Sequence, residues 1–198
     1  MRLSLLPFYR STSVGTALLA LAGTGSAQAQ NELLQISSVR IGRTTVEIDW
    51  STIPGSGIGG NAFDRIDVNR DGMITQGEGQ AYVKRTLKDV TLTVDGKSRP
   101  LLMRRVSLSD RKPMLAGFGS IQFLVYAVIP ERPGRHTLVF ENRHRRAVSK
   151  FETTVWNDPA NPSLRIVDQR LDAAGARLSL TYVPGKAPSP STSSHSGS

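Results

Sequence analysis

Apolar and polar residues alternate along much of the chain with the period of two that gives a strand one buried and one wet side. Residues 33–39 and 45–50 partly follow that pattern, and the short link between them, which contains Gly42, predicts a hairpin. Residues 90–94 alternate cleanly and end at Asp95-Gly96, a pair suited to the positive φ angles of a tight hairpin turn. Further strands are predicted at 101–106, 121–129, 136–140, 151–156, 164–167 and 178–182. Pro130, Pro133-Gly134, Asp158-Pro159, Asn161-Pro162 and Gly175 punctuate them. Strands this short and numerous predict a mainly β fold, an antiparallel, immunoglobulin-like β-sandwich spanning 31–183.

One segment, 60–88, breaks the alternation. Phe63 and Ile66 are spaced as one face of a short helix, and Ala81, Tyr82, Val83 and Leu87 as the apolar positions of a second. Between them, residues 67–78 read DVNRDGMITQGE, which matches the calcium-loop template D-x-[DN]-x-[DN]-G-x5-E at every specified position. Asp67, Asn69 and Asp71 hold positions 1, 3 and 5, where side-chain oxygens reach the ion, and Gly72 holds the sharp turn at position 6. Met73 at position 7 offers its backbone carbonyl, Thr75 at position 9 acts directly or through water, and Glu78 at position 12 binds with both oxygens. Ile74 at position 8 is apolar, as expected of a residue that pins the loop to a core or to a partner loop. Ca²⁺ takes 6–8 oxygens and needs neither nitrogen nor sulfur, so it is the expected cofactor. The expectation is a single inserted EF-hand at 60–88. The bland alternative is a surface turn rich in Asp, Asn and Gly.

Residues 1–29 have the layout of a secretory signal peptide: Arg2 and Arg10, an apolar stretch from Val14 to Ala22, then Ala27-Gln28-Ala29 as a cleavage site. The stretch is too short to span a bilayer, and no later stretch is apolar enough to do so. A periplasmic or secreted protein is therefore expected. Residues 185–198 are rich in Ser and Pro and read as a disordered tail.

Composition changes this picture in two places. The 198 residues include 25 Lys+Arg and 16 Asp+Glu, a net +9, which invites a polyanionic partner. Removing the signal takes away Arg2 and Arg10 and leaves 23 basic against 16 acidic residues, a net +7. Export makes nucleic acid an unexpected partner, and no aromatic residues interleave the basic run 143–150. That run reads as a solvated hairpin, or as a patch for an anionic surface. The absence of cysteine removes thiolate metal sites and cysteine nucleophiles. The three histidines are isolated, so no catalytic role is expected. Residues 55–60 match G-x-G-x-x-G, but Pro54 precedes them and no βαβ unit follows, so they read as a flexible joint into the calcium hand.

The order of features resembles a known architecture. Early strands lead to Thr52-Ile53-Pro54, the D-x-N-x-D-G loop, a short helix, Thr93-Val94-Asp95-Gly96 and a late Gly134-x-His136-x-Leu138 strand. Over roughly 31–183 this is similar to the extracytoplasmic N-terminal domain of bacterial HupE/UreJ-like and nickel/cobalt-exporter-like membrane proteins. The resemblance implies the calcium ligands and an envelope or membrane-transport partner. Those proteins continue into transmembrane helices, whereas this sequence ends in its Ser/Pro tail. The loop by itself also looks like a dockerin repeat, which occurs in pairs. Two functions follow as expectations: a non-enzymatic calcium-binding module, and an adhesion or adaptor module that binds an anionic surface through its basic face.

Overall fold

Backbone pairing turns the alternating segments into strands in a computed structural model that describes residues 31–159 and 161–185. The predicted signal peptide at 1–29 and all but the first residue of the predicted tail lie outside the described residues. The strands are β1 (Leu33–Ile41), β2 (Thr45–Pro54), β3 (Val90–Val94), β4 (Lys97–Ser98), β5 (Leu102–Leu108), β6 (Ile121–Val128), β7 (His136–Asn142), β8 (Ser149–Asn157), β9 (Arg165–Leu171) and β10 (Arg177–Val183). They form two five-stranded sheets, ordered β5-β6-β2-β1-β8 and β4-β3-β7-β10-β9.

The protein is thus mainly β, with two antiparallel-rich sheets. Each predicted strand has its counterpart, with bounds moved by a few residues. The β1–β2 hairpin pairs Leu33 with Pro54 through to Ile41 with Val46. Asp95 and Gly96 turn β3 into β4 with φ of 53° and 71°, as that dipeptide predicts.

Two sequence expectations fail on topology. The sheets are not wholly antiparallel, because β8 runs parallel to β1, pairing Leu33 with Ser149 through to Ile41 with Asn157. The link at 143–148 is not a hairpin either. β7 lies in one sheet and β8 in the other, so the link crosses between sheets and delivers β8 alongside β1. Alternation within a strand encodes which side is buried; it does not encode which strand becomes the neighbour.

Both sheets bury their apolar positions in one cluster. Val39, Ile48 and Val125 from the first sheet meet Leu92, Phe140 and Leu178 from the second. Trp50 on β2 and Phe123 on β6 are register partners with ring centroids 4.7 Å apart. Each such buried side chain contributes about 1.5–3 kcal/mol of transfer free energy.

Among the described residues, three α-helices decorate this frame: α1 (Ser56–Asp64), α2 (Gln76–Thr86) and α3 (Arg111–Leu115). The sequence reading of 55–60 as a flexible joint is corrected by α1, whose N-cap is Gly55. Glycine has low helix propensity, so tertiary packing must hold this turn. A Cβ on Gly59 would sit 1.9 Å from the Met114 carbonyl oxygen, so glycine here allows α1 to lie against α3. The sequence pattern did not announce α3, which has only five residues and carries Pro113. Phe63 near the end of α1, Ile66 just after it, and Tyr82 and Val83 from α2 enter the shared core. These anchors place the connecting segment 67–75 on the rim of the fold.

Candidate metal centre

Each side chain of the predicted loop can be located. Asp67 directly follows buried Ile66 and is itself only 4% exposed. Its Oδ2 accepts from the Gly72 backbone N–H at 3.0 Å, which closes the loop across five residues. Its Oδ1 is buried and has no hydrogen-bond partner among the described residues. Leaving a buried carboxylate oxygen unpaired costs free energy unless something else occupies its lone pairs.

The next two positions build successive side-chain turns. Asn69 Oδ1 accepts from the Asp71 N–H at 3.1 Å, and Asp71 Oδ1 accepts from the Met73 N–H at 2.9 Å. Asn69 Nδ2 also donates to Asp71 Oδ2 at 2.9 Å, so these two side chains lie against each other. The chain bends through Arg70 at φ 60° and Gly72 at φ 85°. At Gly72 that left-handed backbone needs the missing side chain. Met73 is 67% exposed, so its side chain takes no part in the loop's packing. Ile74 is partly buried and packs against the shared core, so the position-8 residue pins the loop to the body of the fold.

Thr75 begins α2 as its N-cap. Its hydroxyl accepts from the Glu78 N–H at 3.3 Å while Glu78 Oε2 accepts from the Thr75 N–H at 2.9 Å, forming a reciprocal capping box. The Thr75 hydroxyl also donates to Glu78 Oε2 at 2.8 Å. Glu78 Oε1 reaches back across the loop and accepts from Val68 N–H at 2.9 Å and Asn69 N–H at 3.3 Å. The bond from the Thr75 backbone, then the one from its hydroxyl, hold the Glu78 carboxyl down at about 2. It is therefore a carboxylate throughout the neutral range. The sequence assigned Glu78 to the metal alone. Its second role as a helix cap was legible in the T-x-x-E spacing.

The structure thus gathers Asp67, Asn69 and Asp71 on one short loop, to whose backbone Glu78 reaches back from the first turn of α2. The carboxylates turn towards N–H donors rather than towards one another. Among the described residues, no three His, Cys, Asp or Glu side chains are gathered into a group that could hold a metal ion. The donor set nevertheless suits a hard cation: Asp67, Asn69, Asp71, the Met73 carbonyl, Thr75 and Glu78 are all oxygen ligands, and three are carboxylates. The unpaired Asp67 Oδ1 is an atom that a cation would satisfy.

Beside the loop lies an open cleft lined by Asp64, Asp67 and Asp71, with Arg70 and Arg111 at its edges. Asp64 lies three residues before the loop and could have been noticed in the sequence. Arg111 comes from α3, and nothing in its local sequence places it here. No protein-family model matches the chain, and no curated protein is significantly similar to it.

Proposed function

We propose that this chain is an exported bacterial calcium-binding module. In this reading it is an immunoglobulin-like β-sandwich with one EF-hand inserted at 60–88, and its role is binding rather than catalysis, in the periplasm or outside the cell. The supporting observation is Asp67: a buried carboxylate with one oxygen on the Gly72 N–H and the other without a partner. It stands at position 1 of a loop whose remaining oxygens follow the calcium spacing. The ion would be held by Asp67, Asn69, Asp71, the Met73 carbonyl, Thr75 and Glu78. It would neutralise three carboxylates and brace α1 against α2. A lone hand of this kind fits the extracellular range of affinities, about 10⁻⁴–10⁻³ M. The resemblance to the transporter-linked extracytoplasmic domains adds a membrane-transport protein as the proposed partner.

Titration calorimetry of the chain with CaCl₂ tests the reading. One binding site is expected, and it should vanish in Asp67→Asn/Glu78→Gln, a pair that keeps side-chain shape and preserves an acceptor for the α2 cap. No heat at millimolar calcium, or the same heat in the variant, would remove calcium from the proposal.

A further inference from the structure

The C-terminal half of α2 faces a second cavity of different chemistry, of about 390 Å³, between α2, the end of α1 and the link that crosses from β7 to β8. Three arginines line it from separate places in the chain: Arg65 after α1, Arg85 on α2 and Arg145 on the link. None of the three forms an ion pair with a carboxylate among the described residues, whereas Arg146 next door pairs with Asp172 at 3.3 Å. The Arg85 guanidinium donates to the Arg65 backbone carbonyl at 3.1 Å and lies 6.0 Å from the centre of the Tyr82 ring. Arg145 is held at φ 48°, a left-handed backbone that a non-glycine residue adopts at a cost.

The cavity wall is half apolar. Ala62, Val68 and the Tyr82 ring provide it. His144 lines the same cavity, edge-on to Tyr82 with ring centroids 6.4 Å apart. Its Nδ1 donates to Asp89 Oδ2 at 2.8 Å, which fixes the ring. Its Nε2 is buried without a partner. Among the described residues Asp89 is the only acid lining the cavity, against three arginines. Burial pushes the His144 imidazole below 6.5, against the pull of Asp89.

We propose that this cavity is a binding site for a phosphate monoester, with its phosphate held by Arg65, Arg85 and Arg145 and its organic body against Val68 and Tyr82. Guanidiniums match phosphate oxygens in pairs of hydrogen bonds, and Arg is the residue suited to planar, bidentate recognition of such anions. Three guanidiniums from three directions suit the three terminal oxygens of a phosphate better than the two of a carboxylate. The same headgroup chemistry occurs in a soluble phosphate ester and in an anionic lipid.

The test uses phenyl phosphate, titrated into the chain by calorimetry and by NMR of the His144 imidazole. Saturable binding with a shift of the His144 resonances is expected. Arg85→Gln/Arg145→Gln, two changes that keep much of each side-chain stem, should weaken it by about a hundredfold, roughly tenfold for each charge-assisted contact. Lys84→Gln, a charge removed from α2 outside the cavity, should leave it unchanged. No binding at millimolar phenyl phosphate, equal binding in the double variant, or an equal loss in Lys84→Gln would each overturn the site. A parallel sedimentation with phosphatidylcholine vesicles, with and without phosphatidic acid, separates the two sources. Retention only on phosphatidic acid, lost in the double variant, assigns the site to a lipid headgroup. Retention on neither, with phenyl phosphate bound, assigns it to a soluble ester.

Discussion

The two ends of one 11-residue helix carry opposite chemistry. At the N-terminus of α2, Glu78 and the loop before it present carboxylates whose oxygens are tied to backbone N–H groups. Towards its C-terminus, Arg85 joins Arg65 and Arg145 around a half-apolar cavity. The helix macrodipole favours this polarity, with acids at the start and bases at the end. The loop is local: its donors fall within twelve consecutive residues. The cavity is non-local, assembled from segments some eighty residues apart. The two sites also differ in what they lack. Among the described residues, Asp67 Oδ1 has no hydrogen-bond partner, and Arg65, Arg85 and Arg145 form no ion pair with a carboxylate.

The strongest way to break both sites together is through their common support. Phe63 on α1 is fully buried. Phe63→Ala should cost about 3–5 kcal/mol of stability by denaturant titration and weaken both ligands, since α1 carries the start of the loop and leads into Arg65. An unchanged calcium affinity in that variant would show that the loop does not depend on α1. Next in size, Asp67→Asn/Glu78→Gln should lower calcium affinity by about 100-fold or more while phenyl phosphate still binds. Loss of both ligands would mean that the two ends of α2 are one site.

Gly59→Ala probes the α1–α3 contact and should destabilise by about 1–3 kcal/mol, because the new methyl meets the Met114 backbone rather than a movable side chain. A neutral result in thermal melts would restore the reading of residues 55–60 as a flexible joint. Thr75→Ala removes the hydroxyl half of the capping box and should cost about 1 kcal/mol, with α2 fraying first at its loop end by amide exchange.

The smallest effect compares two His–Asp pairs of nearly equal length. His136 Nδ1 lies 2.7 Å from Asp95 Oδ2, and His144 Nδ1 lies 2.8 Å from Asp89 Oδ2. The hydrogen bond to Asp95 holds His136 above 6.5, whereas burial takes His144 below it. Burial raises the Asp95 carboxyl, but the His136 and Thr137 bonds outweigh it and leave a net lowering. The His136 contribution is therefore complete below about pH 6.5 and fades as pH rises through its raised value. That of Asp95 is present above about 3.8 and fades on acidification, and the penalty of charging buried His144 also grows as pH falls below 6.5. NMR titration should separate the two histidines in that order, and phenyl phosphate should move only His144.

Much of the fold was written locally. Clean alternation marked β3, and Asp95-Gly96 marked its turn. The proposed loop ligands could be named from the sequence because their spacing is a property of consecutive residues. What the sequence hid depends on distant contacts. Nothing in Ser149–Asn157 says that it will run beside β1. The glycine-rich start of α1 lies so close to α3 that a Cβ on Gly59 would meet the Met114 backbone, a contact that no local pattern announces. The run at 143–146 looked like solvated charge, yet the chain's crossing between sheets tucks His144 against Trp50 and Tyr82 and brings Arg145 to a cavity. Net charge was a poor guide to both sites, since each depends on where a few charges converge.

The central claim is that Asp67 heads a calcium loop, and a crystal structure of the chain grown with CaCl₂ addresses it directly. The account predicts one ion within about 2.3–2.6 Å of Asp67 Oδ1, with Asn69, Asp71, the Met73 carbonyl and Glu78 among its ligands. A loop without an ion at saturating calcium, or an ion held without Asp67, would contradict it.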